Sequence, residues 1–286
     1  MTRFDSRLTP ARPDLAAAYL RGKIAAADYI EGRALHVCVG TADLRHAPAP
    51  DAPLDTQALF GEEVILYEDH EGWGWVQLAR DGYVGYMSMA ALAEGQIKPT
   101  HRVTVNRSFV YPRPDLKLPA RDALPLGAAV RVRVTKGGFA QIDDAAFVFS
   151  GHLLLSGGSQ KEFVAVAERL LHAPYLWGGK TSLGIDCSGL VQISLDAAGI
   201  DAPRDTDLQE QALGLPIALD TDLAGLQRGD LVFWRGHVGI MRDATTLLHA
   251  NAHHMLVASE PLRIARDRTL ATTSQPISAI KRLEPA

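Results

Sequence analysis

The stretch "LFGEEVILYEDHEGWGWVQL", Leu59 to Leu78, is echoed by "PLGAAVRVRVTKGGFAQI", Pro125 to Ile142, with Gly61 answered by Gly127. A chain that repeats itself in this way folds twice into the same supersecondary unit. Around both copies, short alternating runs such as "DGYVGYM" are broken by Gly, Asp and Pro. Strands and turns at that density indicate a small barrel. Trp73 and Trp75 of the first copy have no counterpart in the second. The expectation is one barrel over residues 34–96 and a second, less aromatic one over 97–158, behind a helix-like lead over 1–33.

From Ser159 the period changes. "SQKE" reads as a capping box, with Ser159 as cap and Glu162 returning to it. Phe163, Val166, Ala167, Leu170 and Leu171 follow at helical spacing, and Pro174 stops them. A second helix is expected from Cys187, with Leu190, Val191, Leu195 and Ala198 on one face and Gly199 as its stop. Then come strand-like runs: "DLVFW", "HVGIMR", "TLLHAN", "MLVAS" and "ISAIKRL". Helices followed by a run of strands make residues 159–286 an α+β domain.

The 286 residues carry a formal net charge of -4 and no long Lys/Arg run, so no nucleic-acid partner is expected. No apolar run is long enough for a membrane span. The apolar stretch Leu15 to Leu20, bounded by Asp14 and Arg21 with no cleavage site behind it, makes a poor signal peptide. The expected location is cytoplasmic.

"PYLWGGKTSLGIDCSGLVQ" holds a GKT triplet but lacks the first glycine of a phosphate loop, where Pro174 stands, and it follows a helix instead of a strand. The nucleotide reading fails there. The cysteine is the better signal. Asp186 is a good N-cap, which sets Cys187 in the first turn of the second helix. The unpaired N–H groups and the helix dipole at that point favour a thiolate and can bind an oxyanion. Small neighbours, Ser188 and Gly189, admit a substrate. His237 and His249 lie on successive strands and supply a base and its orienter, in either order. With only two cysteines in the chain, Cys38 reads as a buried, inert strand residue. Zinc on the Cys and His set is disfavoured, because no CxxC or HExxH spacing is present. No metal and no cofactor are expected.

In their order and spacing, "PYLWGGKTSLGIDCSGLVQ", "PRDTDLQ", "GDLVFW", "HVGI" and "LLHAN" resemble the NlpC-type cysteine peptidases of bacterial cell-wall metabolism, and the upstream part resembles bacterial SH3-like barrels. The resemblance implies a papain-like catalytic domain behind two SH3-like domains. It implies hydrolysis of the γ-D-glutamyl–L-diamino-acid bond of murein peptides, with Cys187 as nucleophile, His237 as base and acid, and His249 as orienter. It places Tyr175 by the oxyanion, and Asp186, Ser188, Asp205 and Thr206 toward the substrate. Trp177 is expected either to wall the pocket or to fill core.

In relatives of this architecture the first barrel restricts the enzyme to a free N-terminal L-Ala. By that likeness Asp55 and Tyr83 become substrate contacts, with Tyr83 equally readable as barrel core. The expected partner is a murein tripeptide or related peptide, and the expected role is wall-peptide recycling. A papain-like amidase or acyltransferase, and a wall-binding module with vestigial catalysis, are the competing readings.

Overall fold

A computed structural model describes residues 4–218 and 223–284, which fall into two compact units, Met1–Ser156 and Gly157–Ala286. The first unit repeats itself element for element. Strands Arg33–Val37, Thr41–Arg45, Leu54–Leu59, Glu63–His70, Trp73–Leu78 and Val84–Ser88 lead to a 3-10 turn, Met89–Ala91, and a last strand, Leu92–Glu94. The second copy runs His101–Val103, Arg107–Tyr111, Asp122–Pro125, then Ala129–Val130 with Val134–Lys136, Phe139–Asp143 and Ala146–Phe149. It too closes with a 3-10 turn, Ser150–His152, and a strand, Leu153–Leu155.

The difference lies in the fourth strand. In the first copy it is continuous and belongs to one seven-stranded sheet; in the second it breaks, and the copy divides into three-stranded and five-stranded sheets. Hydrogen bonding leaves the seven-stranded sheet open, with Leu54–Leu59 and Leu92–Glu94 at its edges. Alternation puts Leu35, Val37, Leu44, Val64, Leu66, Val76 and Leu78 on its inner face, with Tyr83 and Met87 beside them.

Among its described residues the lead forms no α-helix. Leu15–Ala17 pairs in parallel with Asp28–Ile30, and only a 3-10 turn, Ala18–Leu20, lies between. An apolar run this short cannot carry the nucleation cost of a helix. Ala16, Ala17 and Leu20 are buried instead against Tyr67 and Trp75. Cys38 sits one residue past its strand and is half-buried.

The second unit has a six-stranded antiparallel sheet in the order Leu215–Pro216, Ala279–Arg282, Leu231–Trp234, His237–Met241, Thr246–Asn251, Leu256–Pro261. Four helices accompany it: α1 (Phe163–Glu168), α2 (Cys187–Ala197), α3 (Thr206–Ala212) and α4 (Leu262–Thr273). All the strand-like runs are strands, so the mixed helix-and-sheet class is as read. α1 is shorter than its spacing implies, and its cap is different. Glu162, not Ser159, is the N-cap, and its own carboxylate accepts from the N–H groups of Val164 and Ala165. Ser159 lies too far upstream, because the helix begins only at Phe163. α2 runs as expected, from an Asp186 cap to Gly199 in the left-handed region at φ 81°. It is buried from Cys187 through Asp196 and packs on α1 and on strands His237–Met241 and Thr246–Asn251.

Candidate active site

Asp186 sets the position of the cysteine. Its Oδ1 accepts from the N–H of Gly189 at 2.7 Å, which caps α2, and its Oδ2 accepts from the N–H of Gly178 at 2.8 Å. The guanidinium of Arg204 then binds both carboxylate oxygens, at 3.0 and 2.7 Å, and donates to Ser188 Oγ at 2.8 Å. Asp186, Ser188 and Arg204 are all buried. The carboxylate and the hydroxyl are therefore committed inside the fold, and neither is the substrate contact the sequence suggested. The smallness of Gly189 also serves packing: a Cβ there would lie 2.3 Å from the carbonyl oxygen of Gly179. Gly189 lets the 178–185 loop sit directly on the start of α2.

Cys187 emerges from this frame only 7% exposed. Its sulfur lies 3.9 Å from Thr206 Oγ1, at the start of α3, and the backbone N–H of Val238 acts to lower its pKa. Thr206 thus stands beside Cys187, and Asp205 is the N-cap position just before it. Burial pushes the Cys187 thiol up to about 11, with the charge of Asp186 adding to the effect. That overturns the expected resting thiolate. A helix N-terminus contributes roughly 0.3–1 kcal/mol to an anion, whereas full burial moves a pKa by as much as about 3–5 units.

The histidines are brought together by strand register. His249 faces Ala258 across one strand pair, and on its other side Gly239 would place a Cβ 3.2 Å from the Cβ of His249. That gap gives His237, two residues from Gly239, room to reach diagonally across the sheet. His237 Nε2 and His249 Nδ1 are 2.8 Å apart. Nitrogens that close share a proton along a hydrogen bond, so this pair does not offer two lone pairs to one zinc ion. Trp234 packs against His237, with ring centroids 5.6 Å apart. Burial, followed by the charge of His249, lowers His237 to about 3. The thiol and both imidazoles therefore rest neutral in the free chain.

Tyr175 is half-buried, and its phenol is raised to about 12 by burial and then by the charges of Cys187 and Asp186. It keeps its proton and can donate it in a hydrogen bond. Trp177 is 68% exposed, which removes the core-filling role. In the first unit, Tyr83 is 6% exposed and belongs to the sheet core. Asp55 lies 3.4 Å from His46 Nδ1, in a groove of about 400 Å³ that Arg7, Arg12, Trp75 and Tyr86 also line. Sequence reasoning missed Arg204, although "PRDTDLQ" displays it. It also missed Glu260 and Arg268, which extend the histidine pair (His249 Nε2 to Glu260 Oε1, 2.9 Å).

A buried cysteine thus stands at a capped helix start, near two adjoining strands that each carry one histidine of a bonded pair, and the chain is similar to known proteins. Residues 44–92 match the bacterial dipeptidyl-peptidase Sh3 domain, and residues 172–272 match the NlpC/P60 family. The C-terminal unit is an NlpC/P60 cysteine-peptidase domain. The chain that carries this NlpC/P60 domain is 29% identical over 236 residues to a γ-D-glutamyl-L-lysine dipeptidyl-peptidase of Bacillus subtilis (strain 168), covering 73% of this chain and 76% of that one. It is 27% identical over 187 residues to dipeptidyl-peptidase 6 of Lysinibacillus sphaericus, covering 65% of this chain and 66% of the relative. An NlpC/P60 family protein from Bacillus cereus ATCC 10987 superposes with a TM-score of 0.72 at 20% identity, over 88% of this chain and all of that one, which shows a shared fold.

Proposed function

We propose that the chain is a cysteine endopeptidase that hydrolyses the γ-D-glutamyl–L-diamino-acid bond of murein peptides carrying a free N-terminal L-Ala. The carrying observation is the placement of Cys187. It sits at the first turn of α2, which packs on the two adjoining strands that carry the His237–His249 pair. The Bacillus subtilis relative, a γ-D-glutamyl-L-lysine dipeptidyl-peptidase by name, supports the bond class. A papain-like core behind two SH3-like domains belongs to the same reading, supported by the repeated element order of the first unit.

In the proposed reaction His237 takes the thiol proton as Cys187 attacks the amide carbonyl, so the thiolate forms only in the act of attack. The N–H groups of Cys187 and Ser188, at the start of α2, have no carbonyl partner within the helix, and together with the Tyr175 hydroxyl they bind the oxyanion. His237 returns its proton to the leaving amine, and water then releases the acyl group by the reverse sequence. Asp205, next to Thr206, supplies the carboxylate for the ammonium of L-Ala.

Cleavage of short peptides in place of intact wall suits a recycling role in the cytoplasm, and that location is part of the proposal. Mass spectrometry of products from L-Ala-γ-D-Glu-L-Lys, its meso-diaminopimelate analogue and their N-acetyl forms tests the chemistry. The expected result is cutting between D-Glu and the diamino acid in the free peptides only. Equal turnover of acetylated peptides removes the free-amine requirement, and transfer to an added amine in preference to water identifies an acyltransferase. Fractionation of the native cells tests the location.

A further inference from the structure

Three hydrogen bonds beyond His237 decide which of its ring nitrogens can act as a base. Glu260 lies on strand Leu256–Pro261, two residues past Ala258, the partner of His249, and so on the same sheet face. His249 Nε2 is 2.9 Å from Glu260 Oε1, and Arg268 of α4 binds the same carboxylate at both oxygens, with its Nη1 2.7 Å from Oε2. Burial pushes Glu260 up, but the hydrogen bonds from Arg268 and His249 outweigh it and hold the carboxyl well below the usual range. An ionised carboxylate only accepts hydrogen bonds. His249 Nε2 therefore carries the proton, and Nδ1 of the neutral ring is an acceptor. His237 Nε2 must then be the donor across the 2.8 Å contact, which leaves Nδ1 of His237 as the free lone pair.

We propose that Glu260 is a positioning residue for the reaction: through His249 it fixes the His237 tautomer with Nδ1 free for the Cys187 proton, and its charge stabilises the imidazolium that results. The site is then a chain of four, Cys187–His237–His249–Glu260, clamped by Arg268. The proton balance is simple. The thiol proton moves to His237 Nδ1 and later leaves from there to the departing amine, while the protons on both Nε2 atoms stay in place.

The charged and titratable groups around the pair are Cys187 at the start of α2, Glu260 on the neighbouring strand, Arg268 on α4 and His254 in the following turn, 4.0 Å from Glu260. The Arg268 and His254 charges disfavour a second positive charge here, and the Glu260 charge is what favours it. The inference rests on the peptidase reading for its use in turnover, and its geometry stands apart from the choice of substrate.

The test follows two readouts in a Cys38→Ser background: iodoacetamide alkylation of Cys187 against pH, and kcat/KM on L-Ala-γ-D-Glu-L-Lys. Glu260→Gln keeps the shape and an oxygen that can accept from His249, and loses the charge. Its alkylation at pH 7 is expected to slow about tenfold and kcat to fall by at least that factor at nearly constant KM. The acid limb of the pH profile should move to lower pH, because an imidazolium without Glu260 gives up its proton sooner. Glu260→Asp, with the charge at shorter reach, should recover part of the rate and keep the wild-type acid limb. If the Gln variant does not fold, that limb in the Asp variant decides alone, and a shift in it overturns the proposal. Wild-type alkylation and an unmoved limb in Glu260→Gln also overturn it, as does an equal loss in both variants. Because alkylation needs no substrate, the expected alkylation pattern without peptide cleavage sinks only the substrate reading.

Discussion

The guanidinium of Arg204 binds the Asp186 carboxylate through two hydrogen bonds, at 3.0 and 2.7 Å, with both side chains buried at the start of the helix that carries Cys187. Removing one partner of such a pair strands the other charge in a dry interior. Arg204→Met is expected to cost about 3–5 kcal/mol of folding stability. Lysine lacks the planar fork and should recover little of it. Urea unfolding of the two variants against wild type measures this, and a loss below about 1 kcal/mol would mean that the pair is screened after all.

Tyr175 keeps its proton well above neutrality and has no charge to contribute in the free site. Tyr175→Phe should therefore leave KM almost unchanged and lower kcat by about 10²–10³, the loss seen when one oxyanion donor is removed. Steady-state kinetics on the free peptide separate the two parameters. A rise in KM at constant kcat would instead make Tyr175 a ground-state contact.

Gly189→Ala places a methyl group against a backbone carbonyl, where no flexible side chain can give way. The loop from Gly178 must lift off α2, at a cost of about 1–3 kcal/mol, and the Cys187 alkylation rate should change with it. A thermal midpoint equal to that of wild type would show that the loop yields freely.

His237 is held near 3 in the folded chain, against an ordinary value of 6.5, mainly by burial. Below about pH 6.5 the unfolded chain takes up a proton that the folded chain refuses. Stability from this group is complete above that pH and is lost as pH falls toward the folded value. The melting temperature of wild type should therefore drop more between pH 7.5 and pH 5, both about one to two units from 6.5, than that of His237→Gln. Parallel curves for the two proteins would count against a buried neutral histidine.

Local pattern made the catalytic unit legible. Asp-Cys-Ser-Gly reads as a helix start because cap chemistry is written within four residues, and the strands bearing His237 and His249 alternate as half-buried strands do. Arg204 and Glu260 were not legible. Their partners, Asp186 and His249, lie 18 and 11 residues away, and nothing local marks an arginine as the one that will be buried. The lead failed for a related reason. "LAAAYL" has good helix propensity, but the pairing of Leu15–Ala17 with Asp28–Ile30 and burial against Trp75 outweigh it. The state of Cys187 lay further out of reach, because burial is set by the whole unit while the helix dipole is read from a single turn.

The protonated, buried resting state of Cys187 bears on durability. Peroxide and soft metal ions attack thiolates, and a thiolate at low pKa in the open is oxidised stepwise toward forms that cannot be recovered. A sulfur that becomes an anion only while a peptide occupies it presents almost no target between turnovers. Chemical wear would then scale with the number of bonds cut, not with the time the protein spends waiting.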